Sequence, residues 1–242
     1  MQFAGPLLRG TLLRRYKRFL ADVLLDTGET VTAHCPNPGS MLSVNQPGSR
    51  VWLSRADKAT RTLAYTWELI RVGQALVGIN TGRPNRLVAD ALSRDLIPEL
   101  SGYSSLRREV RYGRNSRIDL LLEQPGRPTC LVEVKNVTMR RSLGTGGPIE
   151  FPDSVTARGV KQIAELADQA RRGNRAVMLY IAQRSDAQRL AFASDLDPAY
   201  GRAVLAAADA GVESYCYRCQ VDVEGVRLAE MMSVEASTLA PA

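Results

Sequence analysis

One histidine, His34, stands among 242 residues. That scarcity leaves almost no room for a Ser-His-Asp triad or for a metal site built from histidines. Cysteine is also sparse, at positions 35, 130, 216 and 219. Cys216 and Cys219 make one Cys-x-x-Cys, but no second Cys or His pair follows to complete a zinc site. The remaining chemical reading of that pair is a redox role. Cys130 lies in an apolar run and is expected to pack as a small hydrophobe. No apolar run reaches the ~20 residues of a membrane span. The N-terminus has no basic prefix leading into a long apolar core, so it does not read as a secretory signal. A cytoplasmic protein without a membrane partner is expected. Lysine occurs only at positions 17, 58, 135 and 161, so arginine supplies the other 28 of the 32 basic residues. Whatever chemistry exists must run on carboxylates, lysine, arginine or cysteine.

What is present is positive charge. The net charge is +7 and the isoelectric point about 9.5. Such a balance points to a polyanionic partner, nucleic acid first. The charge is concentrated. Arg14, Arg15, Lys17 and Arg18 cluster early, and Arg107, Arg108, Arg111, Arg114 and Arg117 crowd the approach to Asp119. Hydrophobic residues make up 45%, ordinary for a globular core.

Residues 1–82 read as a β domain. Apolar-rich runs at 7–13, 19–25, 30–35, 51–54, 63–72 and 74–79 are separated by turn signals such as Asp26-Thr27-Gly28-Glu29 and Gln46-Pro47-Gly48. Short strands so closely spaced predict a small closed barrel, OB-type first and SH3-like as the alternative. Tyr16, Phe19, Trp52, Tyr65 and Trp67 lie among basic residues, a composition that suits stacking on single strands. Phe19 and at least one tryptophan are expected in the barrel core instead.

Residues 83–232 read as an α/β domain, with a frayed tail at 233–242. A helix from about 84 to 93 has Leu87, Val88, Ala91 and Leu92 on one broad face and carries Asp90. Strands are predicted at 109–112, 117–123, 130–137, 175–182 and, last, 212–221. Helices are predicted from Pro152-Asp153-Ser154 to about Arg172 and from Asp197-Pro198 to Gly211. A strand, a helix and a further apolar strand make a crossover unit, so its strands should be parallel. The run Val212-Glu-Ser-Tyr-Cys-Tyr-Arg-Cys is β-rich and a poor recognition helix. The basic, glycine-rich segment 140–148 lacks the Gly-Lys-Ser/Thr of a phosphate loop and reads as a flap over the site.

The chain is organised around residues 115–138. Two apolar runs flank Gln124-Pro125-Gly126-Arg127-Pro128, a hairpin pattern. Each run carries charges that packing does not call for. Asp119 adjoins Leu120, Leu121 and Leu122, while Glu133 and Lys135 sit between Val132, Val134 and Val137. Side chains alternate along a strand, so Glu133 and Lys135 share a face. A Glu-x-Lys on a half-exposed strand is usually just a solvated face. Asp119 on the neighbouring strand, and a lysine in so arginine-rich a chain, favour a site. Two carboxylates and an amine converging there would be compensated by a hard cation, Mg²⁺ or Mn²⁺. Asp119, Glu133 and the Val134 carbonyl are the candidate ligands, and Lys135 the group stabilising developing charge. Asp90 and Gln162 are candidate supporting residues. Arg14, Arg15, Lys17, Arg18, Arg117 and Arg158 are candidate phosphate contacts.

A carboxylate on one strand followed by Glu133-Val134-Lys135 on the next, within an α, β, β, β, α, β order, resembles the PD-(D/E)xK nuclease arrangement. The segments at 15–22 (RYKRFLAD), 34–41 (HCPNPGSM), 65–69 (YTWEL), 78–81 (GINT), 115–119 (NSRID), 132–138 (VEVKNVT) and 151–159 (FPDSVTARG) resemble the sugar fermentation stimulation protein family across nearly the whole chain. The resemblance implies an OB-like N-terminal domain, a nuclease-like C-terminal domain and DNA binding, which the basic surface suggests is through phosphates and not sequence-specific. It also implies a regulatory role in sugar (maltose) metabolism. Cleavage of DNA or RNA is the alternative activity, and a homodimer is an open possibility. Position 90 resembles a helix position that is often Glu, and Asp has the shorter arm.

Overall fold

The computed structural model describes residues 1–56, 62–112, 116–142 and 147–235. Five strands form the N-terminal barrel: β1 (Leu8–Tyr16), β2 (Leu20–Leu25), β3 (Thr30–His34), β4 (Arg50–Arg55) and β5 (Tyr65–Val72). β1 pairs antiparallel with β2 and β4, β2 with β3, and β4 with β5. A short parallel pairing, Ala33↔Tyr65 and His34↔Thr66, closes the ring. This closure is that of the OB barrel, the first of the two expected forms. β6 (Ala75–Gly78) continues the sheet beyond β5.

Alternation along the strands fills the barrel with Leu12, Val23, Val31, Val51, Leu53, Trp67 and Ile70. Trp67 is fully buried, and its indole N–H donates to the Leu69 carbonyl at 2.9 Å, so no donor is stranded. Trp52 is buried outside the barrel, against the second domain. Phe19 departs from expectation. It is 43% exposed, because it sits in the β1–β2 turn, before the alternation of β2 begins.

The second domain opens with α1 (Pro84–Leu92) and continues with β7 (Ser105–Tyr112), β8 (Ser116–Glu123), β9 (Cys130–Val137) and β10 (Ile149–Phe151). Then come α2 (Ala157–Arg171), β11 (Arg175–Ala182), β12 (Arg189–Phe192), α3 (Pro198–Asp209), β13 (Glu213–Val221) and β14 (Val226–Glu235). The sheet order is β10-β12-β14-β13-β11-β9-β8-β7. β7, β8 and β9 form an antiparallel meander, while β9, β11 and β13 run parallel through the α2 and α3 crossovers. That parallel core is the expected one.

Three strands were not legible. β10 and β12 are short, and β14 is inside the sheet but has only two buried residues, so it shows no clear alternation. β13 is therefore not the last strand, and residues 233–235 belong to β14 rather than to a tail. The tip of the expected flap, 143–146, and the last seven residues, 236–242, lie outside the described residues, as does Arg114. The segment expected as a strand at 212–221 is β13, following α3.

The sheet is covered on both faces. Leu131, Ile163, Leu166, Tyr180 and Tyr200 pack beneath α2 and α3 on one face. On the other, Val132, Val134, Leu87 and Val88 pack with Trp52 and Leu69 of the barrel domain. Cys216 belongs to the first layer and Cys219 to the second, on either side of an irregularity in β13. The two thiols therefore face opposite sides of the sheet, which sinks both the redox and the zinc readings of the pair. Burial raises the Cys219 thiol to about 12 and pushes Cys216 well up as well.

Candidate metal centre and nucleic-acid interface

The site forms where the meander comes apart. β8 and β9 pair as Leu122↔Cys130, Leu121↔Leu131 and Leu120↔Val132, and their pairing ends there. On its other side β8 pairs with β7 at Arg108↔Leu120 and Val110↔Ile118, skipping Asp119 and Glu109 between them. Glu109 sits at φ 52, in the left-handed region. Inward alternation breaks at this point, and Ile118 and Leu121 both enter the layer under α2. Asp119 is thus released from regular strand geometry. Its carboxylate takes the ladder's place on β9, accepting the Val134 N–H at 2.8 Å. The N–H and C=O of one strand residue point to the same side. The Val134 carbonyl therefore also faces the gap left by β8.

A second bond fixes the other carboxylate oxygen. The Asn85 amide, in the first turn of α1, donates to Asp119 Oδ1 at 2.7 Å. Asn85 gave no signal in the sequence. It became a site residue only when α1 packed across the meander.

On β9, Glu133 and Lys135 point towards α2 with Leu131 and Val137, as alternation requires. Thr156 caps α2 by accepting the Gly159 N–H at 3.0 Å, and Gln162 then falls on the turn facing the sheet. Lys135 Nζ donates to Glu133 Oε1 and to Gln162 Oε1, each at 2.8 Å. The Gln162 amide donates to the same Glu133 Oε1. Glu133 Oε2 is buried with no hydrogen-bond partner among the described residues. Burial pushes Glu133 up to about 7. The Lys135 charge opposes that shift and the Asp119 charge adds to it. Burial likewise raises Asp119, against the pull of its bonds from Val134 and Asn85.

These groups line a pocket of about 350 Å³. The barrel domain supplies one wall through Asn37, Pro38, Gly39 and Thr81. Asp153 ties that wall to the second domain, accepting the Met41 N–H at 2.9 Å while its carbonyl accepts Ser40 Oγ at 2.6 Å. A Cβ on Gly39 would lie 2.8 Å from the Asp153 carboxylate, so the approach needs glycine. The expected helix start at Pro152-Asp153-Ser154 is displaced to the Thr156 cap, which leaves Asp153 free for this contact.

Of the expected catalytic residues, the fold brings Asp119, Glu133, Lys135 and Gln162 together and leaves Asp90 out. Asp90 is five positions after Asn85, about 140° further round the helix. It is half-buried there and pairs with Arg94 at 3.0 Å. Among the candidate phosphate contacts, Arg158 lines the pocket and Arg117 is exposed on β8 two residues before Asp119. Lys17 and Arg18 are exposed in the β1–β2 turn. Arg14 pairs with Asp22 at 2.8 Å. Arg15 is committed to the backbone: its Nη2 donates to the carbonyls of Arg18, Asn37 and Gly39 at 2.8, 2.9 and 2.9 Å. Through that nitrogen it holds the loop.

Among the described residues no three Asp, Glu, His or Cys side chains converge on one point. A cation would therefore have two carboxylates and main-chain oxygen available, with the rest of its shell from solvent or phosphate. That all-oxygen set suits a hard divalent ion, and the orphaned Glu133 Oε2 fits such a partner.

The comparisons agree with this layout. One family model, described as the SfsA N-terminal OB domain, matches residues 13–79. Another, described as the Sugar fermentation stimulation protein RE domain, matches residues 82–225. A Sugar fermentation stimulation protein homolog from Rhodospirillum rubrum is 55% identical over 229 residues, covering 92% of this chain and 94% of the relative. A homolog from Paramagnetospirillum magneticum is 51% identical over 235 residues, covering 97% and 98%. The solved structure of Pyrococcus furiosus SfsA in complex with Ca²⁺ superposes with a TM-score of 0.86 at 26% identity, covering 97% of this chain and 98% of that one.

Proposed function

The chain belongs to the sugar fermentation stimulation protein family, and on that footing we propose that it binds nucleic acid without reading its sequence, at a divalent-cation site of nuclease type. One observation carries the proposal: Asp119, Glu133, Lys135 and Gln162 meet in one pocket, and a buried Glu133 oxygen there lacks a partner. Asp119, Glu133 and the Val134 carbonyl would hold Mg²⁺ or Mn²⁺. The Ca²⁺ of the Pyrococcus furiosus structure supports a divalent ion. When bound, the ion would supply Lewis-acid stabilisation of charge on a phosphodiester. Gln162 orients Glu133 and Lys135 through its two amide atoms. Arg158 at the pocket wall and Arg117 beside Asp119 would hold phosphate oxygens. DNA is the first candidate ligand and RNA the second. A part in sugar (maltose) metabolism would follow from such binding in the cell.

Binding through phosphates should weaken steeply with salt. A gel shift with plasmid DNA between 50 and 200 mM salt tests this, and a flat response overturns it.

A second reading is hydrolysis itself. Lys135, held against Glu133 at 2.8 Å beside an open pocket, favours it. Its test is incubation of plasmid, linear DNA, single-stranded DNA and RNA with Mn²⁺. Cleavage lost in both Asp119→Ala and Lys135→Ala supports an enzyme. Cleavage that persists in both is contamination and removes that reading.

A further inference from the structure

The β1–β2 turn breaks a local rule. Lys17 and Arg18 are consecutive residues at φ 46 and φ 64, where glycine or asparagine ordinarily stands. The next residue, Phe19, exposes its ring, which stacks on His34 with centroids 6.5 Å apart and planes 27° from parallel. Two cations and an exposed phenyl ring, stacked on a half-buried imidazole, are thus held together in a conformation that glycine would adopt more easily. Strain kept at such a position points to a use for the side chains.

The turn is wired to the pocket. Arg15 binds the carbonyl of Arg18 in the turn and those of Asn37 and Gly39 in the pocket wall. The Cys35 N–H donates to the Phe19 carbonyl at 2.8 Å, which ties the turn to the start of that wall. The platform and the carboxylates therefore flank one short loop of the barrel.

We propose that this turn is a docking platform for single-stranded nucleic acid, with an unpaired base on the Phe19–His34 rings and its phosphates on Lys17 and Arg18. This deepens the reading above, on which it rests for the ligand class: the pocket takes an unpaired strand or a frayed end. A paired base is covered on both faces by its neighbours and offers no ring to Phe19. Stacking tolerates any base, which agrees with binding that does not read sequence.

The experiment is fluorescence anisotropy of the full chain with a labelled twelve-residue oligo-dT, the same length of oligo-U and a duplex of equal length. It is run in EDTA, so that no cation at Asp119 and Glu133 contributes. Phe19→Ala should weaken single-strand binding about tenfold, and leave duplex binding unchanged. Phe19→Tyr should restore it. Lys17→Ala with Arg18→Ala should lower the salt slope for the single strand by about two ions' worth. Thermal melting confirms that each variant is folded; Phe19 lies outside the core. Equal losses on single strand and duplex, or none on either, overturn the platform. Stronger loss on oligo-U than on oligo-dT, or the reverse, supports it and assigns RNA or DNA. Mn²⁺ binding to Phe19→Ala, followed by calorimetry, reads the cation site separately: its absence in the wild-type chain would sink the metal reading and leave the anisotropy result standing.

Discussion

Asp119 on β8 accepts the main-chain N–H of Val134 on β9 at 2.8 Å, replacing a strand-to-strand bond with a side-chain one. This substitution turns a regular meander into a site. It brings a carboxylate and a strand's own backbone to the same gap, with Val134 two residues beyond Val132, the last paired position on β9.

Two variants at this position should separate structure from chemistry. Asp119→Asn keeps an oxygen for the Val134 N–H and should change stability little. Asp119→Ala strands that half-buried donor and should cost about 1–3 kcal/mol. Both should weaken Mn²⁺ binding at least tenfold. Urea unfolding and calorimetric titration check the two arms, and equal destabilisation by both variants would contradict the assignment.

Stability without metal should fall as pH rises. Glu133 is pushed up to about 7, from an unfolded value near 4.5, mainly by burial. The folded state therefore holds the proton more tightly. The stabilisation is complete below the unfolded value and is lost progressively up to about pH 7, to the extent of about 3 kcal/mol. Asp119, raised in the same direction, adds to the trend. Urea midpoints in EDTA at pH 5 and pH 8 measure it. Glu133→Gln should flatten the slope.

The barrel and the sheet domain are joined at the pocket, so a change there should be felt as stability. Gly39→Ala would bring a methyl to 2.8 Å from the Asp153 carboxylate. Asp153→Ala removes the acceptor of the Met41 N–H. Each should cost about 1 kcal/mol, or 2–4 °C in melting temperature for a chain of this size. A double variant should fall short of the sum, because both act on one contact. Strict additivity would argue that the contact does not couple the two residues.

The four thiols should be silent in the folded protein. All are buried, and Cys216 and Cys219 lie in different layers. An aromatic disulfide reagent should label none within minutes in buffer and all four in denaturant. Rapid native labelling at Cys216 or Cys219 would reopen a redox role.

The sequence by itself determined the barrel, the parallel crossover and the Glu133–Lys135 face. Those rest on local signals: short strands between strong turns, a helix period after a strand, and the two-residue alternation of β9. It also placed Asp119 on the neighbouring strand. Tertiary structure alone decided which other groups join them. Asn85, Asp153 and Gly39 reach the pocket because helix, loop and barrel pack across long chain separations, and no periodicity encodes such a meeting. The same packing turned Asp90 outward, since helix rotation, not proximity in sequence, sets which side chain faces the sheet. It committed Arg15 to carbonyls, because a guanidinium beside three unsatisfied oxygens is held there. β10 and β12 are too short to show a period, and β14 is mostly half-buried or exposed, so each becomes a strand only through its neighbours' hydrogen bonds.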